Sequence, residues 1–175
     1  GKTLLAVQVA LDQVFKRQFN KIIITRPTIS TEDNGFLPGS EREQMEPWLV
    51  PIRSNMRKVY NKPDILEKME KEEKIELVSL AHFRGRTFDN ALVIVDEYQN
   101  LSKSQLAMCI GRLGKDSKMI FCGDSYQIDL RDKQHSAYHD MAKLTNSKYV
   151  YKTVLTDSHR HAAIEDLLEL LNGYH

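Results

Sequence analysis

Cysteine, excess charge and long apolar runs are nearly absent from this sequence of 175 residues. The two cysteines, Cys109 and Cys122, form neither a metal-binding spacing nor a secreted-type disulfide framework, so we expect a reducing, cytoplasmic compartment. Lys and Arg number 25 against 24 Asp and Glu, and the net charge of +1 excludes a globally basic nucleic-acid binder, leaving only a local patch for such a partner. No apolar run approaches the roughly 20 residues that span a bilayer, and the first residues lack the flanks of a signal peptide. We therefore expect no membrane partner.

Length and composition indicate one globular domain over residues 1–175. A chain of this length corresponds to one domain of typical size, and 41% apolar with 28% charged residues separates it from disordered sequences. All five prolines fall between positions 27 and 63, which predicts that regular structure is interrupted there. The sequence opens directly on Gly-Lys-Thr, which predicts a domain truncated at its N-terminus within a longer phosphate-binding motif.

Helical and extended apolar patterns alternate along the chain. Residues 3–17 form a predicted helix whose apolar face carries Leu4, Val7, Leu11, Val14 and Phe15. Further helices are predicted over 64–74, 104–113 and 162–171. Strands are predicted at KIIIT (21–25), KIELVSL (74–80), ALVIVD (91–96), SKMIFCGD (117–124) and YVYKTVL (149–155). This alternation predicts an α/β fold with a mostly parallel sheet and helices on both faces.

Gly1, Lys2 and Thr3 precede the first helix and match the second half of GxxxxGK[ST], a nucleotide-binding loop that surrounds phosphates with backbone N–H groups. This tripeptide has little specificity alone, but Asp96 and Glu97 follow a buried strand, and ligands of open α/β sheets collect at such ends. Lys2 is predicted to neutralise the β- and γ-phosphates, the Thr3 hydroxyl to ligate Mg²⁺, and Asp96 to hold the same ion through a water. Glu97 is predicted to orient or polarise the attacking water. An ordinary polar strand end is the alternative for the two acids.

Gln127 lies in the segment GDSYQ (123–127), which follows the strand SKMIFC. Its amide is able to donate to a γ-phosphate and to accept from water, which makes it a candidate sensor of hydrolysis and a candidate nucleotide ligand. A turn shaped by Gly123 and Asp124 is the alternative interpretation.

Eight short motifs occur in an order that gives the chain a resemblance to a known family. They are GKT (1–3), TRP (25–27), GFLPG (35–39), FRGRTF (83–88), DEYQN (96–100), GRLG (111–114), GDSYQIDL (123–130) and DSHRH (157–161). The chain resembles, over nearly its whole length, the PhoH-like proteins, a family of phosphate-starvation-inducible ATPases. The resemblance implies a RecA-like P-loop ATPase core similar to the first motor domain of superfamily 1 helicases, often ring-forming and linked to RNA.

Several arginines are candidates for contacts with phosphate. The phosphoryl-transfer transition state needs positive charge beyond Lys and Mg²⁺, commonly from an Arg, and the resemblance assigns Arg160 to this role, in cis or across a subunit boundary. It also places Arg26 where related motors contact a nucleic-acid backbone. Arg84 and Arg86 flank a glycine in FRGRTF and are predicted to contact phosphate, nucleic acid or a neighbouring subunit. Surface solvation or an ion pair is the alternative for each.

The sequence also departs from the family pattern. The family loop normally reads GxxGTGKT, and only its last three residues are present here. Tyr98 stands where the family usually carries Ala, and no cluster of acids resembles that of a nuclease. Phe36, Trp48 and Tyr60 either stack on bases or pack against the core, and we expect the core.

These observations predict an ATPase that needs Mg²⁺ and couples hydrolysis to the remodelling of single-stranded RNA, DNA or another polymer. A single motor domain lacks a second domain to close on a polymer, so a homo-oligomeric ring is expected. The alternative is a nucleotide-binding switch or assembly scaffold with negligible turnover. A kinase is a weaker third reading, because nothing resembles an acceptor site.

Overall fold

A four-stranded parallel sheet in the order β2-β1-β3-β4 forms the centre of the computed structural model, which describes residues 1–28, 41–155 and 162–172. The strands are β1 (Lys21–Thr25), β2 (Ile75–Leu77), β3 (Ala91–Val95) and β4 (Lys118–Phe121). The inner strands β1 and β3 are almost wholly buried because helices cover both faces of the sheet, which explains their unbroken apolar sequences. Four of the five predicted strands are confirmed.

Helices pack on both faces, as the sequence predicts for an α/β fold. The packed helices are α1 (Lys2–Phe15), α2 (Glu41–Val59), α3 (Pro63–Lys71), α4 (Lys103–Gly111) and α5 (Ala137–Leu144), and a sixth helix, α6 (Ala162–Asn172), has no buried residue. The first three share one apolar cluster with alternate residues of β1 and β3, and α4 and α5 share another cluster on the opposite face. None of the helices within the described ranges is long and apolar enough to cross a membrane.

Helix α1 buries a narrower face than the sequence predicts. Its buried residues are Ala6, Val7, Ala10 and Leu11, and the two alanines let the helix lie close to the sheet. Phe15, predicted on the buried face, is 45% exposed because it lies at the last turn, where its ring meets Tyr60 at 4.8 Å instead of the core.

The prediction that the prolines interrupt regular structure is wrong for residues 41–59, since α2 contains Pro47 and Pro51. Both prolines are exposed, so their rings lie on the solvent side of the helix. On the other side, Trp48, Ile52 and Met56 recur every four residues and are buried in the core. Burial of three large side chains, at about 1.5–3 kcal/mol each, offsets the roughly 3 kcal/mol cost of each helical proline.

The strand predicted over 149–155 is not formed, and that prediction is wrong. The segment makes no ladder with any of the four strands, and Tyr149 and Tyr151 are 81% and 92% exposed. The pattern of β-branched and aromatic residues reports only a preference for extended backbone, whereas a strand also needs a hydrogen-bonding neighbour.

Candidate nucleotide-binding site

The predicted phosphate-binding residues meet at the carboxyl edge of the two inner strands. The chain leaves β1 toward β2 on one side and returns as β3 on the other, so the strand order reverses between β1 and β3. Crevices at such reversals are the usual ligand sites of open α/β sheets. The Asp96 N–H donates to the Thr25 carbonyl at 2.9 Å, which extends the β1–β3 pairing by one residue. This bond fixes the backbone of Asp96, the first of the two acids that follow β3.

Thr3 and Asp96 are in direct contact although 93 residues separate them in the chain. The Thr3 hydroxyl donates to Asp96 Oδ1 at 2.8 Å, and the Glu97 N–H donates to the same oxygen at 3.0 Å. Asp96 is only 6% exposed, so this geometry is set by the packing of α1 against β3 and not by a flexible surface side chain. The structure thus brings together the hydroxyl and the carboxylate that the sequence predicts to share one metal ion.

The N-terminus of α1 points its free backbone donors at the same place. Gly1 is the N-cap, no side chain caps the helix, and the first turn contains no acid. Uncapped N–H groups and the positive end of the helix dipole favour a bound anion at this position. Lys2 is exposed beside this turn, and its carbonyl lies 4.0 Å from Cys122 Sγ, at the end of β4.

The available ligands suit Mg²⁺. Magnesium prefers oxygen ligands and usually takes one or two from the protein, with waters and substrate phosphates completing its shell. Thr3 and Asp96 supply a hydroxyl and a carboxylate in contact. The absence of any group of three or more His, Cys, Asp or Glu metal ligands among the described residues is compatible with such a site.

Glu97 has a backbone conformation that is unusual for its residue type. Its φ of 53° and ψ of 41° lie in the left-handed region, which costs a side-chain-bearing residue about 1–2 kcal/mol. The turn takes the chain out of β3 and into a short 3₁₀ helix, Tyr98–Asn100. Glu97 Oε2 accepts a hydrogen bond of 2.7 Å from Gln99 Nε2.

The electrostatic surroundings favour the protonated form of Glu97. Burial raises the pKa of Glu97 above its ordinary value, and the adjacent Asp96 carboxylate raises it further. The Gln99 hydrogen bond and the positive charge of Arg26 lower the pKa without cancelling this rise, while Asp129 adds a smaller increase. A carboxylate with a raised pKa is the better proton acceptor, which suits the role predicted for Glu97.

Gln127 lies at the end of another short 3₁₀ helix, Ser125–Gln127, which follows β4. Its side chain is exposed, and its backbone carbonyl accepts a hydrogen bond of 3.2 Å from Gln99 Nε2. The Gln99 side chain therefore bonds both to Glu97 and to the segment that carries the predicted sensor, which places the two close together.

The predicted arginines are distributed over different places. Arg26 is half-buried at the end of β1, near enough to Glu97 for its charge to act on that carboxyl. Arg84 is exposed. Arg86 is bound to Glu76 of β2 at 2.9 and 3.2 Å, on the sheet face opposite α1, so the structure does not bring Arg86 to the Thr3–Asp96 edge. Arg160 lies outside the described residues, as do the GFLPG motif and Phe36.

Gln99 and the Tyr98–Gly123 contact were not identified from the sequence. Gln99 is fully buried and bonds to three partners, and a methyl group added to Gly123 would lie 2.3 Å from the Tyr98 ring. Their positions within the motifs DEYQN and GDSYQIDL were the only available signal. The expectation of a core position is confirmed for Trp48, which is 6% exposed, and Tyr60 also packs against that cluster.

A helix start and an acid-ended strand meet in this way in the RecA-like α/β core of P-loop proteins, and the chain has that fold. A model of one family, described as PhoH-like protein, matches residues 1–172. The chain belongs to the PhoH-like protein family.

Individual relatives agree with this assignment. The chain is 33% identical over 178 residues to a PhoH-like protein of Mycobacterium leprae, a match that covers 99% of this chain and 51% of the relative. It is 38% identical over 173 residues to a PhoH-like protein of Bacillus subtilis, covering 97% and 54%. A PhoH-like protein of Synechocystis is 42% identical over 137 residues, covering 78% and 42%. The chain spans about half the length of these curated relatives.

Proposed function

We propose that this domain binds ATP with Mg²⁺ and hydrolyses the bond between the β- and γ-phosphates. The observation that carries the proposal is the 2.8 Å hydrogen bond from Thr3 Oγ1 to Asp96 Oδ1 beside the uncapped start of α1. A hydroxyl and a carboxylate in contact at an anion-favouring helix end match the needs of a nucleotide phosphate with its divalent cation.

Each residue has a distinct task in this proposal. The α1 N–H groups and Lys2 bind the phosphate oxygens, and Thr3 with Asp96 holds the cation. When bound, Mg²⁺ supplies charge neutralisation on the β- and γ-phosphates. Glu97 orients the attacking water and accepts its proton, and the exposed Gln127 amide contacts the γ-phosphate. Arg160 supplies the remaining positive charge in cis or from a neighbouring subunit.

We propose in addition that hydrolysis is coupled to work on single-stranded RNA or DNA within a homo-oligomer in the cytoplasm. Half-buried Arg26, whose charge reaches Glu97, is the candidate link between the nucleotide and a nucleic-acid backbone, and exposed Arg84 is a further candidate contact. Helix α6 leaves Leu167, Leu170 and Leu171 59%, 73% and 82% exposed, which supports burial against another subunit. The free, buried thiols of Cys109 and Cys122 suit a reducing compartment.

The decisive experiment measures phosphate release from ATP by protein with a complete phosphate-binding loop. Wild type and Glu97→Gln are compared with and without Mg²⁺, and each is measured without polymer, with single-stranded RNA and with single-stranded DNA. We expect Mg²⁺-dependent release that falls at least about 100-fold in Glu97→Gln, because the mutant amide accepts no proton. ADP affinity should change little, since Glu97 does not lie on the phosphate-binding turn. Light scattering of the same samples reports the oligomeric state.

Other outcomes separate the alternatives. Tight ATP binding without phosphate release would replace hydrolysis by the switch or scaffold function. Release that is unaffected by Glu97→Gln would remove Glu97 from the catalytic role. Release that RNA and DNA leave unchanged, or a protein that stays monomeric with every nucleotide, would refute the coupling and ring proposals respectively.

A further inference from the structure

The side-chain amide of Gln99 joins the two segments that carry the predicted reacting groups. Its Nε2 donates to Glu97 Oε2 at 2.7 Å and to the Gln127 carbonyl at 3.2 Å, and its Oε1 accepts from the Asp124 N–H at 3.2 Å. Gln99 is completely buried. Both N–H donors and the carbonyl of one amide are therefore occupied, and all three partners belong to the Glu97 turn or to the 124–127 segment.

The backbone around Gln99 is also held from a third direction. The Gln99 carbonyl accepts a short hydrogen bond from the Ser136 hydroxyl, and Ser136 is the N-cap of α5. The Ala137 N–H bonds to the Leu101 carbonyl at 2.7 Å, just beyond the same turn. Gln99 is thus held at its backbone by α5 and at its amide by three hydrogen bonds, so it has little freedom to change rotamer.

We propose that Gln99 is a positioning residue that holds the Glu97 carboxylate and the Gln127 segment in a fixed mutual arrangement for hydrolysis. The inference rests on the proposed ATPase function. A donor 2.7 Å from Oε2 fixes the carboxylate rotamer, so that the remaining oxygen is the one directed to water. Because the same nitrogen also binds the Gln127 carbonyl, a displacement of that segment acts on Glu97 through one rigid group.

Asn100 offers a matched control beside Gln99. It is 4% exposed, and its Oδ1 accepts from the Asp129 N–H at 2.7 Å, so it holds the same loop. No hydrogen bond joins its side chain to Glu97 in the described part of the chain. Gln99→Met and Asn100→Leu remove the amides at similar volume, and they separate loss of the contact with Glu97 from loosening of the loop.

The test measures steady-state phosphate release in full-length protein, with Gln99→Met and Asn100→Leu each made in the wild-type and Glu97→Gln backgrounds. We expect Gln99→Met to lower kcat about 10- to 100-fold while the KM for ATP and the affinity for ADP stay within about twofold. In the Glu97→Gln background the same change should alter the residual rate by less than about twofold, because the carboxylate that Gln99 positions has been replaced by an amide that accepts no proton. Asn100→Leu should change the rate by the same factor in both backgrounds. Equal factors for Gln99→Met in both backgrounds, or a loss confined to KM, would overturn the inference.

A measurement without hydrolysis keeps this inference separate from the proposed function. The side-chain amide resonances of Gln99 should move on Glu97→Gln, while those of Gln105, which caps α4, stay in place. If the wild type releases no phosphate but the Gln99 resonances still respond to Glu97→Gln, the ATPase proposal is refuted and the contact between Gln99 and Glu97 stands. Unmoved Gln99 resonances would refute the holding role whatever the activity.

Discussion

Replacing Gly123 by Ala tests how tightly the Glu97 turn packs against the segment after β4. A Cβ at position 123 would lie 2.3 and 2.5 Å from two carbons of the Tyr98 ring and 3.0 Å from Gln99 Oε1. Carbon atoms in good contact are about 3.5–4.0 Å apart, so the ring has to retreat by more than roughly 1 Å. Tyr138 stacks on Tyr98 at 6.2 Å and Phe121 meets its edge at 6.0 Å, so the retreat of the ring disturbs two further aromatic contacts.

The expected cost follows from this geometry. Overpacking of this kind destabilises by about 1–3 kcal/mol, which lowers the unfolding midpoint by roughly 2–12 °C at this chain length. The assays are urea unfolding for the free energy and thermal unfolding for the midpoint, both followed by circular dichroism. Gly111→Ala is the control, because a Cβ there meets nothing within 4 Å at the end of α4, and Ala is favoured over Gly in helices.

A second substitution tests the cause of that loss. Tyr98→Ala removes the ring that the new methyl group would meet, at the cost of its own packing. In Gly123→Ala with Tyr98→Ala, the total destabilisation should be smaller than the sum of the two single effects by about 1–3 kcal/mol. The packing argument would be refuted if the unfolding free energy of Gly123→Ala lies within about 0.5 kcal/mol of wild type. It would also be refuted if the loss in the double mutant equals the sum of the two single losses within about that margin.

Three further predictions concern the site, one ion pair and the thiols. Thr3→Val should reduce phosphate release roughly 100-fold, while Thr3→Ser, which keeps the hydroxyl toward Asp96, retains most of it; similar rates for both would contradict the metal role. Although burial acts to raise it, the pKa of Glu76 is held below its ordinary value by hydrogen bonds from two cations. Glu76→Gln should therefore lose about 1–3 kcal/mol of unfolding free energy at pH 7. This difference is fully present above the ordinary pKa of Glu76 and should shrink as the pH falls through the lowered pKa; a constant difference in acid titrations monitored by fluorescence would disprove the assignment. Burial raises the pKa of Cys109 to about 11 and that of Cys122 to about 12, so a thiol reagent at pH 8 should label neither until the protein is unfolded.

The parts of the fold that follow from local patterns were predictable. KIIIT and ALVIV are continuous apolar runs because β1 and β3 are covered on both faces. Such short unbroken runs predict buried strands of a parallel sheet. Thr3 and Asp96 were predictable partners because a helix start and a strand end are each marked locally, and the parallel sheet brings such ends together.

The remaining features depend on contacts distant in sequence. Pro47 and Pro51 signal a break, and only the packing of the opposite helix face overrides that signal. The run 149–155 favours extended backbone, but its composition does not report whether the segment pairs with another strand of the sheet. Gln99 is one polar residue among several in DEYQN, and its burial results from segments near 124–127 and 136 that fold over it.

The left-handed backbone of Glu97 sets stability and activity against each other at a single position. Glycine adopts that conformation without strain and asparagine adopts it more readily than most residues, so either would relieve up to about 1–2 kcal/mol. A library randomised at position 97 and sorted for thermal survival should therefore enrich Gly and Asn. The same library sorted for turnover should return Glu, so the two selections would diverge at the residue that bears the strain.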